Sequence, residues 1–237
     1  MEDRVMEYME KEKQKMLANR KRLEEGVEFV DINTAYIDDS VVIEPGAVIA
    51  NNVTIKGKSV IKSGAYIGQS SYIEDSEIGS GTVVKTAYIY ESVVGENTSV
   101  GPFAYLRPGS RIGNNCKIGD FVEVKNSNFG DGSKSSHLTY IGDADVGKNV
   151  NLGCGVVFVN YDGAKKYRST VGDDAFIGCN SNLVSPVEVG EGAYVAAGTT
   201  ITKDVPSDAL CIGRVRAENK ENWVKQRKIL KKDIKKD

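Results

Sequence analysis

The chain has 237 residues, 25 of them glycine, and a formal net charge of −2. A charge this close to neutral argues against a nucleic-acid-binding protein. No apolar run of about 18 residues is present, which argues against a membrane span, and no apolar segment behind Met1 suggests a signal peptide. The four cysteines lack C-x-x-C spacing and there is one histidine, so no zinc or iron–sulfur site is expected. We therefore expect a soluble, cytoplasmic protein that requires no metal.

The first predicted element is a helix in the charged N-terminal segment. Residues 1 to about 26 are rich in Glu, Lys and Arg and carry only a thin apolar stripe, and Gly26 is a typical helix stop. We assign residues 1–28 to a linker or capping helix, because the open end of a repeat domain needs a cover for its strand edges.

The next feature is an aliphatic residue that returns at every sixth position. Neither the helical period of about 3.6 nor the strand period of about 2 explains this spacing. A coiled β-helix does, because each six-residue repeat forms one short strand and a corner. Residues 29–213 are thus predicted to form roughly nine three-sided coils, about 45 Å in length. The repeat is clearest in Ile37, Ile43, Ile49, Ile55, Ile61, Ile67 and Ile73, in Val94, Val100, Leu106, Ile112, Ile118 and Val124, and in Val171, Ile177, Leu183, Val189, Val195 and Ile201.

Glycines and two interruptions complete the pattern. Many glycines directly follow the aliphatic position, where a tight corner needs backbone freedom or a small side chain. The repeat is lost between Phe129 and Ile141, and again between Leu152 and Val171, where residues 160–168 are expected to bulge out as a loop. Irregular segments of repeat proteins usually carry the function.

The repeat ends after Pro206. Residues 214–237 form a basic tail around Trp223 that is expected to be partly helical. A basic run is usually a solvated face, so we assign no partner to it.

Two cations one coil apart suggest an anion site. Arg107 and Lys125 each follow an aliphatic position and lie eighteen residues apart, so we expect them to stack about 4.8 Å apart, facing outward. Stacked cations repel each other unless an anion lies between them, and a phosphate suits an arginine fork beside a lysine. The alternative is that both are solvated, or that Glu123 and Asp120 neutralise them.

His137, the single histidine, lies in the first interruption. A lone histidine is more often structural than catalytic, but small polar neighbours and Tyr140 favour a role in proton transfer near neutral pH. No G-x-S-x-G motif accompanies it, and an acyl-enzyme on Cys154 or Cys179 is disfavoured, so direct acyl transfer with a general base is expected. No glycine-rich phosphate cradle of a nucleotide-binding domain is present.

The hexapeptide rhythm resembles that of the left-handed β-helix acyltransferases, which are typically trimers that use acyl-CoA. The chain more closely resembles the acetyltransferase half of bacterial N-acetylglucosamine-1-phosphate uridyltransferase/glucosamine-1-phosphate acetyltransferases. The likeness covers nearly the whole chain and is strongest over residues 101–205. It rests on the segments GPFAYLRPG (101–109), FVEVK (121–125), HLTYIGD (137–143), NYDG (160–163) and AAGTT (196–200).

This resemblance implies an all-β, left-handed parallel β-helix with an N-terminal helix and a short C-terminal helical tail. It implies that acetyl-CoA donates an acetyl group to the 2-amino group of glucosamine 1-phosphate, on the route to UDP-N-acetylglucosamine and the cell wall. His137 would be the base, and Arg107 and Lys125 would hold the phosphate. Tyr140 and Asn151 would contact the sugar, and Lys166 would lie near the phosphate across a homotrimer interface.

The resemblance also assigns the acetyl-CoA site and exposes two departures. The coenzyme would contact Asn160, Tyr161, Ala197 and Arg214, and backbone N–H groups around the first two would stabilise the oxyanion. Cysteines stand at the coenzyme-contacting positions 154 and 179, where better-known members have alanine and serine. The nucleotidyltransferase domain is missing, so no uridyltransferase activity is expected from this chain. Two alternatives stay open: a hexapeptide acyltransferase with another acceptor, and a non-catalytic trimeric scaffold.

Overall fold

A computed structural model describes residues 2–227. Helix α1 spans Glu2–Glu24 and a short helix α2 spans Trp223–Arg227. Between them the chain winds as a left-handed parallel β-helix, as predicted, in which nearly every strand pairs with the strand three places later. The rest of the predicted basic tail, residues 228–237, lies outside the described residues. No helix within residues 2–227 is long and apolar enough to cross a membrane.

The coils form three sheets of 11, 10 and 9 strands. The first sheet contains β1 Glu28–Phe29, β4 Val48–Ile49, β7 Tyr66–Ile67, β10 Val83–Val84, β13 Ser99–Val100, β16 Lys117–Asp120, β19 Lys134–His137, β22 Asn151–Leu152, β25 Phe176–Ile177, β28 Tyr194–Val195 and β30 Leu210–Cys211. The second contains β2 Tyr36–Ile37, β5 Thr54–Lys56, β8 Tyr72–Glu74, β11 Tyr88–Tyr90, β14 Tyr105–Leu106, β17 Glu123–Lys125, β20 Tyr140–Gly142, β23 Val157–Val159, β26 Asn182–Val184 and β29 Thr200–Ile201. The third contains β3 Val42–Ile43, β6 Val60–Ile61, β9 Glu77–Ile78, β12 Val93–Val94, β15 Arg111–Ile112, β18 Asn128–Phe129, β21 Ala144–Val146, β24 Ser169–Val171 and β27 Glu188–Val189.

The core is a single column of the periodic aliphatic side chains. Ile67, Leu106, Ile118 and Ile141 are among its fully buried members. Each such side chain contributes roughly 1.5–3 kcal/mol by leaving water. The six-residue period therefore reports the inward-pointing position of each short strand, as the sequence predicted.

The predicted interruption of the coils between Phe129 and Ile141 is wrong. Strand β19, at Lys134–His137, pairs with β16 and β22 and continues the coil without a break. Ser135 takes the inward position that Ile118 and Leu152 hold on the neighbouring coils, and its buried hydroxyl has no hydrogen-bond partner. The backbone ladder persists although the hydrophobic signal disappears, so periodicity alone could not detect this strand. Strands at Glu28 and Leu210 extend the solenoid to about ten coils, against the nine expected.

The glycines after the aliphatic positions are required by close packing of successive coils. A Cβ on Gly119 would lie 2.0 Å from the Ser136 carbonyl oxygen, and one on Gly178 would lie 2.4 Å from the Ala197 nitrogen. Neither glycine has a positive φ. The left-handed corners are occupied largely by residues such as Asn52 instead.

Helix α1 covers the N-terminal end of the solenoid. The buried Asn19 amide donates hydrogen bonds to the carbonyls of Ile32 at 3.2 Å and Ala35 at 3.0 Å. Gly26, with φ +98°, follows the helix and lets the chain turn into the first coil. The helix thus satisfies backbone acceptors that the open end would leave unpaired.

Candidate active site

Five predicted or neighbouring functional residues lie in one line along the corner that follows the first sheet. We call this line the corner column. Asp120 and His137 are register partners on adjacent coils. Each of the other three members comes two residues after a core residue, and these core residues pair in register from one coil to the next. Their backbones therefore continue the spacing of about 4.8 Å between coils. In order, the corner column consists of Asp120, His137, Cys154, Cys179 and Ala197.

His137 is held by Asp120. The His137 ring nitrogen Nδ1 lies 2.6 Å from the Asp120 carboxylate oxygen Oδ1, and 54% of the histidine side chain is exposed. The hydrogen bond from His137 lowers the pKa of Asp120, so the carboxylate is ionised and accepts a hydrogen bond from Nδ1–H. That tautomer leaves Nε2 with a free lone pair, which is the arrangement a general base requires.

The second sheet, which follows this corner along the chain, carries the cationic residues. Register pairing of Leu106 with Val124 places Arg107 and Lys125 on adjacent coils, as their spacing predicted. Arg107 Nη1 lies 2.7 Å from Glu123 Oε1, as the alternative of neutralisation by Glu123 anticipated. Lys125 Nζ lies 3.9 Å from Asp143 Oδ2. Asp120, the other carboxylate considered as a partner for the cations, is hydrogen-bonded to His137 instead.

Lys166 adds a third cation to this cluster. Its ammonium lies beside that of Lys125 and is the largest cause of a lowered Lys125 pKa, with burial and Arg107 acting in the same direction and Asp143 opposing. Within the single chain, Lys166 therefore lies next to Lys125 of the same chain. Three cations meet only two carboxylates, Glu123 and Asp143, which leaves an excess of positive charge suited to an anion.

Asp143 connects the cations to the extruded segment. Its carboxylate is largely buried and accepts hydrogen bonds from Asn126 Nδ2 at 2.6 Å and Asn160 Nδ2 at 2.5 Å. Burial opposes ionisation of Asp143, but these hydrogen bonds and the nearby Lys125 outweigh it and lower its pKa. Asn160 also lies 3.5 Å from the Tyr140 hydroxyl, so Tyr140 belongs to the same cluster.

The predicted loop at residues 160–168 is a short ordered hairpin. A β-bridge joins Tyr161 to Lys166, and Arg168 forms a two-pronged ion pair with Asp145. The Asn160 backbone N–H donates to the Phe158 carbonyl at 3.0 Å. The tight turn into the hairpin thus already uses this N–H, and the expectation that N–H groups around Asn160 and Tyr161 stabilise an oxyanion stays a prediction.

The remaining predicted residues lie at the edges of this region. Asn151 is on the outer face of the first sheet, around the corner from Tyr140 on the second sheet. Arg214 lies at the C-terminal end of the corner column, where its Cδ would be 3.5 Å from a Cβ on Gly198. Ala197 and Cys179 are exposed and Cys154 is half-buried, so a ligand can reach the column between His137 and Arg214.

Two residues of the site were missed by sequence reasoning. Asp120 was considered only as a partner for the cations, and Asp143 was quoted within a motif without a role. A signal existed for Asp120, because it lies seventeen residues before His137, the shortened coil length that the repeat shows elsewhere. The same signal existed for Asp143, which lies seventeen residues after Asn126 and seventeen before Asn160.

The hairpin anchors predict an acid-labile loop. Hydrogen bonds from Arg168 lower the pKa of Asp145, and the pKa of Asp143 is also lowered. Depressed carboxylate pKa values stabilise the folded loop fully above the unfolded value of about 3.9, and this stabilisation is lost as pH falls through the folded values. We expect residues 160–168 to lose hydrogen-exchange protection, after correction for intrinsic rates, as the pH falls below about 3.9, and to do so before the core strands. Asp145→Asn should reproduce part of the loss at neutral pH, and equal loss in core peptides would contradict the prediction.

Comparisons with known proteins agree with this architecture. The family model described as bacterial transferase hexapeptide (six repeats) matches residues 91–126 and 168–203, and the model described as GMPPB C-terminal domain matches residues 32–107. In these segments the chain carries the repeats of the bacterial hexapeptide transferases. The matched segments contain both Arg107 and Cys179.

The hexapeptide-repeat chain is also similar to curated bacterial proteins over most of its length. It is 56% identical over 209 residues to the bifunctional protein GlmU of Clostridioides difficile, covering 88% of this chain and 46% of that protein. It is 50% identical over 221 residues to bifunctional protein GlmU of Caldicellulosiruptor saccharolyticus, covering 93% of this chain and 48% of that protein. The chain thus spans about half the length of the curated relatives it matches.

Among solved structures, the chain is similar to a UDP-N-acetylglucosamine acyltransferase from Campylobacter jejuni. The identity is 23%, and the likeness covers 79% of this chain and 70% of that chain. The TM-score of 0.37 is too low to support a functional conclusion.

Proposed function

We propose that this chain is an N-acetyltransferase that moves the acetyl group of acetyl-CoA to the 2-amino group of glucosamine 1-phosphate. The observation that carries the proposal is the corner column, in which an Asp120–His137 pair stands at one end of a line of small, accessible residues. The cation cluster of Arg107, Lys125 and Lys166 lies by the far end of the second sheet, the sheet that follows this corner along the chain. Similarity to about half the length of each bifunctional relative supports the same assignment.

The corner column has the dimensions of an extended coenzyme site. From His137 to Ala197 it rises three coils, about 14 Å. Small side chains at Cys154, Cys179 and Ala197 let a pantetheine arm lie against the backbone. The arginine at 214 is placed to meet the anionic nucleotide end, since arginine pairs well with phosphate.

The acceptor sugar belongs on the second sheet. Its phosphate would offset the excess positive charge around Lys125 and oppose the lowering of that lysine's pKa by the neighbouring Lys166. Tyr140 follows His137 by three residues and begins a strand of the second sheet, and its hydroxyl is within reach of Asn160. This arrangement would direct the sugar's amino group towards the corner column.

The reaction then needs one base and no covalent intermediate. The amine nitrogen attacks the thioester carbonyl carbon while His137 Nε2 accepts a proton from that nitrogen. The tetrahedral intermediate collapses by breaking the carbon–sulfur bond, and the imidazolium returns the proton to the departing coenzyme A thiolate. Asp120 keeps Nδ1 protonated and stabilises the transient imidazolium. Holding amine and thioester together removes much of the entropic barrier.

A homotrimer is part of the proposal. Asn151 lies on the first sheet, while Arg107 and Lys125 lie on the second, so packing of the first sheet of one subunit near the second sheet of another would complete the sugar site. Light scattering after size exclusion should give three times the chain mass of 25.7 kDa. A mass equal to that of one chain would reject the trimer.

The test of the function is coenzyme A thiol release from acetyl-CoA, followed with a thiol reagent. Glucosamine 1-phosphate should support release, unphosphorylated glucosamine should support far less, and product mass should rise by one acetyl group. No release from a protein that binds coenzyme A would indicate another acceptor. Absence of coenzyme A binding, measured by thermal shift, would instead favour the scaffold alternative.

Lys125→Ala should raise the KM for glucosamine 1-phosphate by roughly 10- to 100-fold. A charge-assisted hydrogen bond contributes about 1.5–3 kcal/mol, which corresponds to one to two factors of ten in affinity. The KM for acetyl-CoA should change little. Lys62→Ala is the matched control, because Lys62 forms a surface ion pair with Glu44 on the third sheet. An unchanged sugar KM in Lys125→Ala would remove this lysine from the phosphate site.

A further inference from the structure

Two of the four cysteines lie side by side in the corner column. Leu152 and Ile177 are register partners, and Cys154 and Cys179 follow them by two residues each. The Asn180 backbone N–H donates to the Cys154 carbonyl at 2.8 Å, so the two coils remain in register through the corner. Both thiols are free in the structure.

Side chains at equivalent positions on adjacent coils reach each other in this fold. In the corner column itself, Asp120 and His137 are 2.6 Å apart. Elsewhere, Asn126 contacts Asp143 at 2.6 Å across one coil. An inter-coil Cα spacing of about 4.8 Å lies within the range of about 4.4–6.8 Å that disulfides span. The sulfur atoms of Cys154 and Cys179 therefore need only side-chain rotation and a small corner adjustment to bond.

The two thiols differ in accessibility. Cys179 is exposed, whereas Cys154 is half-buried beside it. Cys116 is buried and Cys211 lies at the inward position of the last strand, paired with Val195, so neither shares this environment. This asymmetry matches an attacking and a resolving thiol.

We propose that Cys154 and Cys179 form a redox-active dithiol that low-molecular-weight disulfides oxidise reversibly to an inter-coil disulfide. The Cys179 thiolate attacks one sulfur of a disulfide such as glutathione disulfide, forms a mixed disulfide and releases one glutathione thiolate. The Cys154 thiolate then attacks the Cys179 sulfur and expels the second glutathione. The protein loses two protons and two electrons, and glutathione disulfide gains them as two reduced glutathione molecules.

The disulfide would block the proposed coenzyme site, a consequence that rests on the proposed function. Both sulfurs lie between His137 and Ala197, along the line assigned to the pantetheine arm. Joining them draws the two side chains together and holds the adjacent coils rigidly at that point. Bound coenzyme A, in turn, should cover Cys179 and slow its oxidation.

The experiment uses the full chain, incubated with glutathione disulfide, quenched with acid and alkylated. Two of the four cysteines should become protected from alkylation. Tryptic peptides 149–165 and 169–203 should be found joined, since each contains one cysteine of the pair. Dithiothreitol should separate them. Four alkylated cysteines, or links between different chains, would overturn the dithiol.

Single variants test the order of the two steps. Cys154→Ser should accumulate the mixed disulfide of glutathione on Cys179, because the resolving thiol is gone. Cys179→Ser should accumulate much less adduct on Cys154. Cys211→Ser is the matched control and should still form the linked peptides at the wild-type rate. Equal adduct formation at both cysteines would reject the assigned roles.

Coenzyme A binding separates this inference from the proposed function. The reduced protein should show a thermal shift with acetyl-CoA, whose sulfur is held in a thioester and cannot reduce a disulfide, and the oxidised protein should not. A linked pair that still binds acetyl-CoA would reject the blocking effect alone. Absence of coenzyme A binding by the reduced protein would reject the proposed function. The disulfide-linked tryptic peptides would still show whether Cys154 and Cys179 form the proposed dithiol.

Discussion

His137→Ala is expected to lower kcat by roughly 10²- to 10⁴-fold, the range by which a general base accelerates proton transfer. The KM values for acetyl-CoA and glucosamine 1-phosphate should change little, because the ring contributes to the transition state rather than to ground-state binding. Folding should be preserved, since 54% of the side chain is exposed and it is hydrogen-bonded to the surface carboxylate of Asp120. The measurement is initial-rate kinetics of coenzyme A thiol release.

Chemical rescue provides the control for that variant. His137 is the single histidine of the chain, so added imidazole that restores part of the rate restores the one missing base. The thermal midpoint of the variant should match that of the unmodified protein. An unchanged kcat in His137→Ala would show that another group takes the proton.

Asp120→Asn is expected to lower kcat by roughly 10²-fold, less than the 10⁴-fold known for a buried orienting carboxylate, because Asp120 is on the surface. The amide can donate to Nδ1, which selects the imidazole tautomer with a protonated Nε2 and removes the base. The amide is also uncharged, so the imidazolium formed during transfer loses its counter-ion. The KM values should stay close to those of the wild type.

The pH profile distinguishes this positioning role from a structural one. The hydrogen bond from His137 lowers the pKa of Asp120, so in the wild type the dyad is intact above the usual aspartate value and is lost as pH falls through the depressed one. Asp120→Asn should change the acidic limb of kcat/KM, which a general loss of stability would not do. Glu77→Gln, which removes an exposed carboxylate on the third sheet, is the charge-matched control and should leave the profile unaltered. A wild-type profile in Asp120→Asn would remove Asp120 from the mechanism.

Sequence reasoning succeeded where the repeat itself carries the information. An eighteen-residue spacing placed Arg107 and Lys125 on adjacent coils, because each coil advances the chain by one strand spacing. It failed where a polar residue replaced the periodic aliphatic one while the backbone pairing of the strand continued. Ser135 is the example: the strand forms through main-chain hydrogen bonds to its neighbours, and these do not depend on an aliphatic side chain.

Contacts that depend on exact coil lengths also escaped prediction. The coil that ends at His137 is one residue shorter than the eighteen-residue average, which brings Asp120 into register with the histidine. Asn160 lies seventeen residues after Asp143, at the equivalent position of the next coil, and the hairpin lengthens that coil only after it. Local deletions and insertions of this kind decide which outward side chains meet.

The sequence by itself determined the solenoid, its core, the capping helix and the extruded segment at 160–168, because each follows from a local period or its absence. The tertiary structure alone decided that Asp120 holds the histidine, that Asp143 joins the cations to the hairpin, and that Cys154 lies beside Cys179. The physical reason is that a β-helix fixes its inward positions by burial, which the sequence records as a repeat. Its outward partners are set by the accumulated register of successive coils, and that register exists only once the chain has folded.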